Sequence, residues 1–78
     1  MNQTEAKSLV LDILSGIAPE ADLAGLRGEV QLRDELDLDS MDFLNFIAAL
    51  HERTRMDIPE AAYPRLSTLD GAIAYLSH

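Results

Sequence analysis

Asp34, Glu35, Asp37, Asp39 and Asp42 put five carboxylates into nine positions, with the hydroxyl of Ser40 set among them and no base inside the run. Such a cluster is suited to few chemistries. A calcium loop needs oxygen ligands at alternating positions and a glycine at the sixth for its sharp turn. Counted from Asp37, the fifth position is Met41 and the sixth is Asp42, so the spacing supports only weak, nonspecific divalent binding. Hydrolysis by a serine nucleophile needs a base and an oxyanion donor set. His51 lies about three turns beyond Ser40 on the same expected helix, roughly 16 Å along its axis, too far for proton transfer. His78 is terminal and expected to fray, so both histidines read as ordinary exposed residues. A third use is electrostatic, since each acid at a helix N-terminus contributes about 0.3 to 1 kcal/mol against the dipole. Ser40 by itself could then be no more than the cap. Charge alone does not choose between these uses.

The elements that must hold these residues are helical. Ala6, Leu9, Val10, Ile13, Leu14 and Ile17 follow the i, i+3, i+4, i+7 rhythm of one apolar stripe, which predicts a helix over Thr4 to Ile17. Asn2 or Thr4 would cap it, Glu5 suits its positive end, and Pro19 stops it. From Ala18 to Asp39 the periodicity is lost around Pro19, Gly25 and Gly28, which predicts a long loop with room for a short helical turn. A connection of that length is pinned by its isolated leucines, or functional, or both. The second main helix is expected over Ser40 to Thr54. Phe43, Phe46, Ile47, Leu50 and the Thr54 methyl make its core stripe. Met41, Leu44 and Ala48 form a second apolar stripe at least a quarter turn away, left over for a partner. Met56 to Ile58 connect to a short helix that starts in its first turn with Pro59 and is ended by Pro64. Leu69, Ala72, Ile73 and Leu76 define a last helix, capped by Ser67 or Thr68, with Asp70 in its first turn and Gly71 weakening it by about 1 kcal/mol relative to alanine. There is no internal repeat and no low-complexity segment.

Seventy-eight residues suffice for one domain, 1–78. A chain of this size buries only about 60% of its unfolded surface, so stability must come from efficient apolar packing. The absence of cysteine removes disulfides, thiolate zinc sites and thiol nucleophiles, and suits a reducing cytoplasm. Fourteen acids against six bases give a net charge of -8, which argues against nucleic acid and anionic lipid as partners and for basic protein surfaces. No apolar run reaches the roughly 20 residues of a membrane span, and the first 18 residues lack the pattern of a secretory signal. A cytoplasmic location and no membrane partner are therefore expected.

Residues 34–42, Asp-Glu-Leu-Asp-Leu-Asp-Ser-Met-Asp, resemble the attachment motif of acyl carrier proteins, in which Asp-Ser-Leu or Asp-Ser-Met opens the second of four helices. The resemblance runs along essentially the whole chain. It includes the periodic first helix, the long loop, the Met56-Asp57-Ile58-Pro59 segment after the second helix, and the Leu66-Ser67-Thr68-Leu69 lead into the last one. It implies an all-α fold, a four-helix bundle of acyl-carrier type with three main helices, a short third helix and a long loop between helices 1 and 2. It also implies a non-catalytic, monomeric, stand-alone carrier. Ser40 would accept 4′-phosphopantetheine from coenzyme A through a phosphopantetheinyl transferase. Asp39 would help that transferase hold Mg²⁺, required only during attachment, and no resident metal is expected. The arm would carry the only thiol and hold acyl or aminoacyl groups as thioesters, supplied by a loading ligase and used by downstream acyl-processing enzymes.

Met41, Leu44 and Ala48, apolar, aligned and not required by the core face, would meet partner enzymes, with Asp39, Asp42 and Glu52 adding attraction to a basic surface. By the same resemblance, the attached chain would slip between the second and third helices. Phe46, Leu50, Ile58 and Leu66 would line a pocket for the attached chain. Tyr63 and Arg33 stand where fatty acid carriers usually have smaller or apolar residues, which implies a restricted pocket for short or polar cargo. Asp37 replaces a frequent glycine, a change compatible with the relative ease with which aspartate visits left-handed backbone. Asn45 and His51 replace second-helix glutamates of fatty acid synthase carriers, and the Gly-Gly-His-Ser pattern of peptide-synthetase carriers is absent. A dedicated carrier of a specialised pathway fits these departures. The competing class is a small helical interaction module that docks through the spare stripe and bears no prosthetic group.

Overall fold

The computed structural model of the chain describes residues 1–77. The expectation for His78 lies outside them. Helix α1 spans Gln3–Ile17 and is capped by Asn2, whose side chain accepts from the Glu5 amide at 2.8 Å while the Glu5 carboxylate accepts from the Asn2 amide at 3.2 Å. This reciprocal capping box satisfies two amides that the helix itself leaves free, and it settles the choice between Asn2 and Thr4 as cap. Ala6, Val10, Ile13 and Leu14 of the expected stripe are buried, and Leu9 and Ile17 pack at its edge.

The connection from Ala18 to Asp39 carries more structure than its lost periodicity implies. A single 3₁₀ turn occupies Leu23–Gly25, and a one-turn helix, α2, occupies Leu32–Glu35. Leu32 and Leu38 are buried in the core, with Leu23, Leu26 and Leu36 packed against it. The loop is thus pinned by its leucines. It is also pinned by backbone: Leu32 donates to the Ser67 carbonyl at 2.8 Å, Asp70 donates to the Gly28 carbonyl at 2.9 Å, and Gln31 forms an isolated antiparallel bridge with Thr68. After α2 the chain turns through Asp37 in left-handed backbone, φ 56°. Most residues avoid that region, and aspartate is among the side chains enriched there.

Helix α3 spans Ser40–Thr54. Phe46, Ile47 and Leu50 are buried on one face, and Phe43 packs beside them with its ring 6.2 Å from that of Phe46. The helix ends at Arg55, itself left-handed at φ 62°, with the Arg55 amide donating to the His51 carbonyl. Pro59 follows in extended backbone, so it caps the next segment instead of entering its first turn. That segment, Glu60–Leu66, is a 3₁₀ helix that runs through Pro64. Pro64 was expected to end it. In this tighter winding Pro64 starts a second turn, accepting from the Ser67 amide at 3.4 Å, and a proline at the start of a turn forfeits only an amide that has no partner there.

Helix α4 spans Leu69–Leu76, and Thr68 caps it by accepting from the Gly71 amide at 3.0 Å. α4 and α3 pack on α1, and the 3₁₀ segment packs on α4. The result is an all-helical body of 28 × 25 × 20 Å around one apolar core cluster. No β-strand occurs among the described residues, and none of their helices is long and apolar enough to cross a membrane.

Candidate functional site

The head of α3 separates the roles of Asp39 and Ser40. Asp39, in extended backbone, is the cap: its Oδ1 accepts from the Asp42 amide at 2.8 Å, and Oδ2 of Asp42 accepts from the Asp39 amide at 3.3 Å. Ser40 is the first helical residue and is exposed. A capping role was the simplest explanation of this serine, and the structure assigns that role to its neighbour. The Ser40 hydroxyl receives one hydrogen bond, from Nη2 of Arg33 on α2 at 3.3 Å. Ser40 and Met41 are the first helical residues, where backbone amides point out of the helix without intrahelical acceptors. Ser40 thus presents an oxygen nucleophile beside the positive end of a helix of four turns and beside a guanidinium.

The five acids do not converge. Among the described residues no group of three or more acids, histidines or cysteines is placed to hold a metal ion. Asp42 was assigned to partner attraction, but its side chain is half-buried and tied to the Asp39 amide, a quarter turn from the spare stripe. It also fixes the helix start. Glu52 is exposed on the side of the stripe itself.

Met41 is 65% exposed and Leu44 is 48% exposed, and both stand among the large apolar residues the fold leaves uncovered. With exposed Ala48 they form the second apolar face expected of this helix. Leu44 and Ala48 also form one wall of an open groove of about 520 Å³, whose other lining includes Ile58, Pro59 and Tyr63, within the size range of small-molecule clefts. The Tyr63 and Phe43 rings stand nearly perpendicular, with centroids 6.4 Å apart. Of the four residues assigned to a pocket for the attached chain, Ile58 lines this groove. Phe46, Leu50 and Leu66 lie together in the closed core with no exposure. The groove also draws on Leu44, Ala48, His51 and Tyr63.

His51 is exposed, as expected, yet it is fastened: Nδ1 lies 2.7 Å from the Met56 carbonyl oxygen. A carbonyl only accepts, so Nδ1 is the donor in this contact. Arg33 was read as a bulky pocket residue and instead reaches Ser40. One signal for it existed in the sequence: it is the lone arginine or lysine between Gly28 and Glu52, placed directly before the acidic run.

The head of α3 thus joins an exposed, non-capping serine to an uncovered apolar face on one small acidic helical bundle. No protein-family model matches the chain. It is similar to the acyl carrier protein of Campylobacter fetus subsp. fetus (strain 82-40), with 28% identity over 72 residues, covering 92% of this chain and 87% of that protein. The resemblance read from residues 34–42 is thus borne out along nearly the full length, and so is the all-helical fold it implied.

Proposed function

We propose that the chain is a non-catalytic carrier that holds acyl or aminoacyl groups as thioesters on a 4′-phosphopantetheine arm attached to Ser40. The observation that supports this most is the exposed Ser40 hydroxyl at the head of α3, relieved of capping by Asp39. Attachment by a phosphopantetheinyl transferase would have the Ser40 oxygen attack the pantetheine-side phosphorus of coenzyme A. The Oγ–P bond forms, the bond to 3′,5′-ADP breaks, and the hydroxyl proton passes to a base of the transferase. The residues present fit the product, because a phosphodiester on Ser40 faces the free amides of the α3 N-terminus. Asp39 keeps its Oδ2 without a hydrogen-bond partner among the described residues, which suits it to help the transferase hold Mg²⁺ during the transfer. When bound, the arm supplies the thiol that the cysteine-free chain lacks.

Met41, Leu44 and Ala48 are the docking face for the transferase, the loading ligase and the downstream enzymes, with Glu52 adding attraction to basic partners. The groove beside this face, narrowed by Tyr63, suits short or polar cargo. Asn45 and His51 lower the acidity of the docking side, in keeping with a dedicated pathway. Incubation with a broad-specificity transferase, Mg²⁺ and coenzyme A, followed by intact mass, tests the reading. One phosphopantetheine on Ser40 is expected. An unmodified protein favours the interaction-module reading, and modification at Ser67 overturns the site.

A further inference from the structure

Arg33 is surrounded by carboxylates and pairs with none of them. Asp34 and Glu35 adjoin it in sequence and Asp37, Asp39 and Asp42 follow, yet among the described residues the ion pairs are Arg27 with Glu29 at 3.6 Å and Arg53 with Asp12 at 3.0 Å. The Arg33 guanidinium instead rests on the neutral hydroxyl of Ser40 at 3.3 Å. Two of the nearby acids, Asp39 and Asp42, are committed to each other's backbone amides. The backbone of Arg33 is held in place by its neighbours: Leu32 is fully buried, the Leu36 amide donates to the Leu32 carbonyl at 3.0 Å, and the Leu38 amide donates to the Arg33 carbonyl at 2.8 Å. A fixed base thus presents a planar fork of N–H donors to the one oxygen where, on the reading above, a phosphorus becomes bonded.

We propose that Arg33 is a positioning residue for the arm, pairing with the unesterified oxygens of the phosphodiester once Ser40 is modified. This rests on the attachment reading and goes beyond it. A phosphate one bond beyond Ser40 Oγ stands next to a guanidinium that already touches that oxygen, and the fork matches two phosphate oxygens at once. The chemistry also calls for a cation here. Modification adds a negative charge beside the most acidic stretch of a chain of net charge -8, and Arg33 is the base placed to offset it. The root of the arm is thereby held on the α2 side of Ser40, while its thiol end stays free to travel.

The test uses ¹⁵N-labelled full-length protein before and after transferase modification, with completeness checked by intact mass. In the wild type the Arg33 Nε–H resonance should shift on modification and its exchange with water slow several-fold. The ³¹P resonance of the phosphodiester should move in Arg33→Gln, with backbone amide changes confined to α2 and the head of α3, and return part of the way in Arg33→Lys, which keeps the charge without the fork. If Arg33→Gln does not fold, the wild-type exchange rates and Arg33→Lys decide alone. Complete modification at Ser40 with an unchanged Arg33 Nε–H overturns this inference and leaves the carrier reading intact. A wild type that takes up no phosphopantetheine overturns the carrier reading itself.

Discussion

Because Asp39 and not Ser40 caps α3, substitutions at these adjacent residues should separate stability from function. Ser40→Ala removes an exposed hydroxyl and a single long hydrogen bond from Arg33. It should abolish phosphopantetheine labelling while changing unfolding free energy in urea by less than about 0.5 kcal/mol. Asp39→Ala removes the acceptor for the Asp42 amide and should cost about 1 kcal/mol in the same titration. Its labelling should also slow, since the carboxylate proposed to assist Mg²⁺ is gone. If Ser40→Ala carried the larger stability loss, the division of roles at the helix head would be wrong. The single-residue level is also where Asp37 matters, because its left-handed backbone lets α2 pass into α3 within a few residues. That short passage is what brings Arg33 back onto Ser40.

Two helical glycines illustrate how elements constrain residues of the same type in opposite ways. Gly16 lies in the last turn of α1, and a Cβ built there meets no heavy atom within 4 Å. Gly16→Ala should therefore raise the melting temperature, with a gain of up to about 1 kcal/mol from helix propensity. Gly71 lies in the first turn of α4, where a Cβ would collide with the Arg65 carbonyl oxygen near the end of the 3₁₀ segment. Gly71→Ala should lower the melting temperature, because the overlap outweighs the same propensity gain. A rise for both variants would show that α4 and the 3₁₀ segment separate easily. The expectation that Gly71 merely weakens its helix misses this contact: the glycine permits the close approach of two elements.

For the molecule as a whole, the question is which apolar surface is structural and which is free. Leu44 is half exposed and stands outside the core cluster. Leu44→Asp should thus slow modification and loading severely while the circular dichroism melt shifts little. Unfolding of that variant would return Leu44 to the core and end the two-face description of α3. Phe46→Ala is the contrasting case, since its ring is wholly buried, and a loss of about 3 to 5 kcal/mol is expected. The net charge of -8 would add long-range attraction to a basic partner. With Asn45 and His51 on the docking side, raising salt across the physiological range should reduce the modification rate only modestly. A steep salt dependence would show that charge, and not the apolar stripe, dominates docking.

Sequence alone was enough for α1, α3 and α4, because each carries an apolar stripe at helical spacing bounded by a capping residue or a proline, and these signals are local. It was enough for the two faces of α3 for the same reason, and for the left-handed tolerance at Asp37. The motif around Ser40 was legible because it is contiguous. Which of Asp39 and Ser40 would cap was not, since both side chains can accept from the same amides and only the backbone geometry at the helix head chooses. The reach of Arg33 to Ser40 depends on how the loop folds back after α2, which no periodicity records. The groove draws on α3, on the connector and on the 3₁₀ segment, so its lining exists only once those pieces pack. The burial of Phe46 and Leu50 follows from the core stripe of α3, whereas that of Leu66, on the 3₁₀ segment, needed the packed fold. Local patterns specify helices; contacts between residues distant in sequence require the assembled fold, because only then do their side chains share a space.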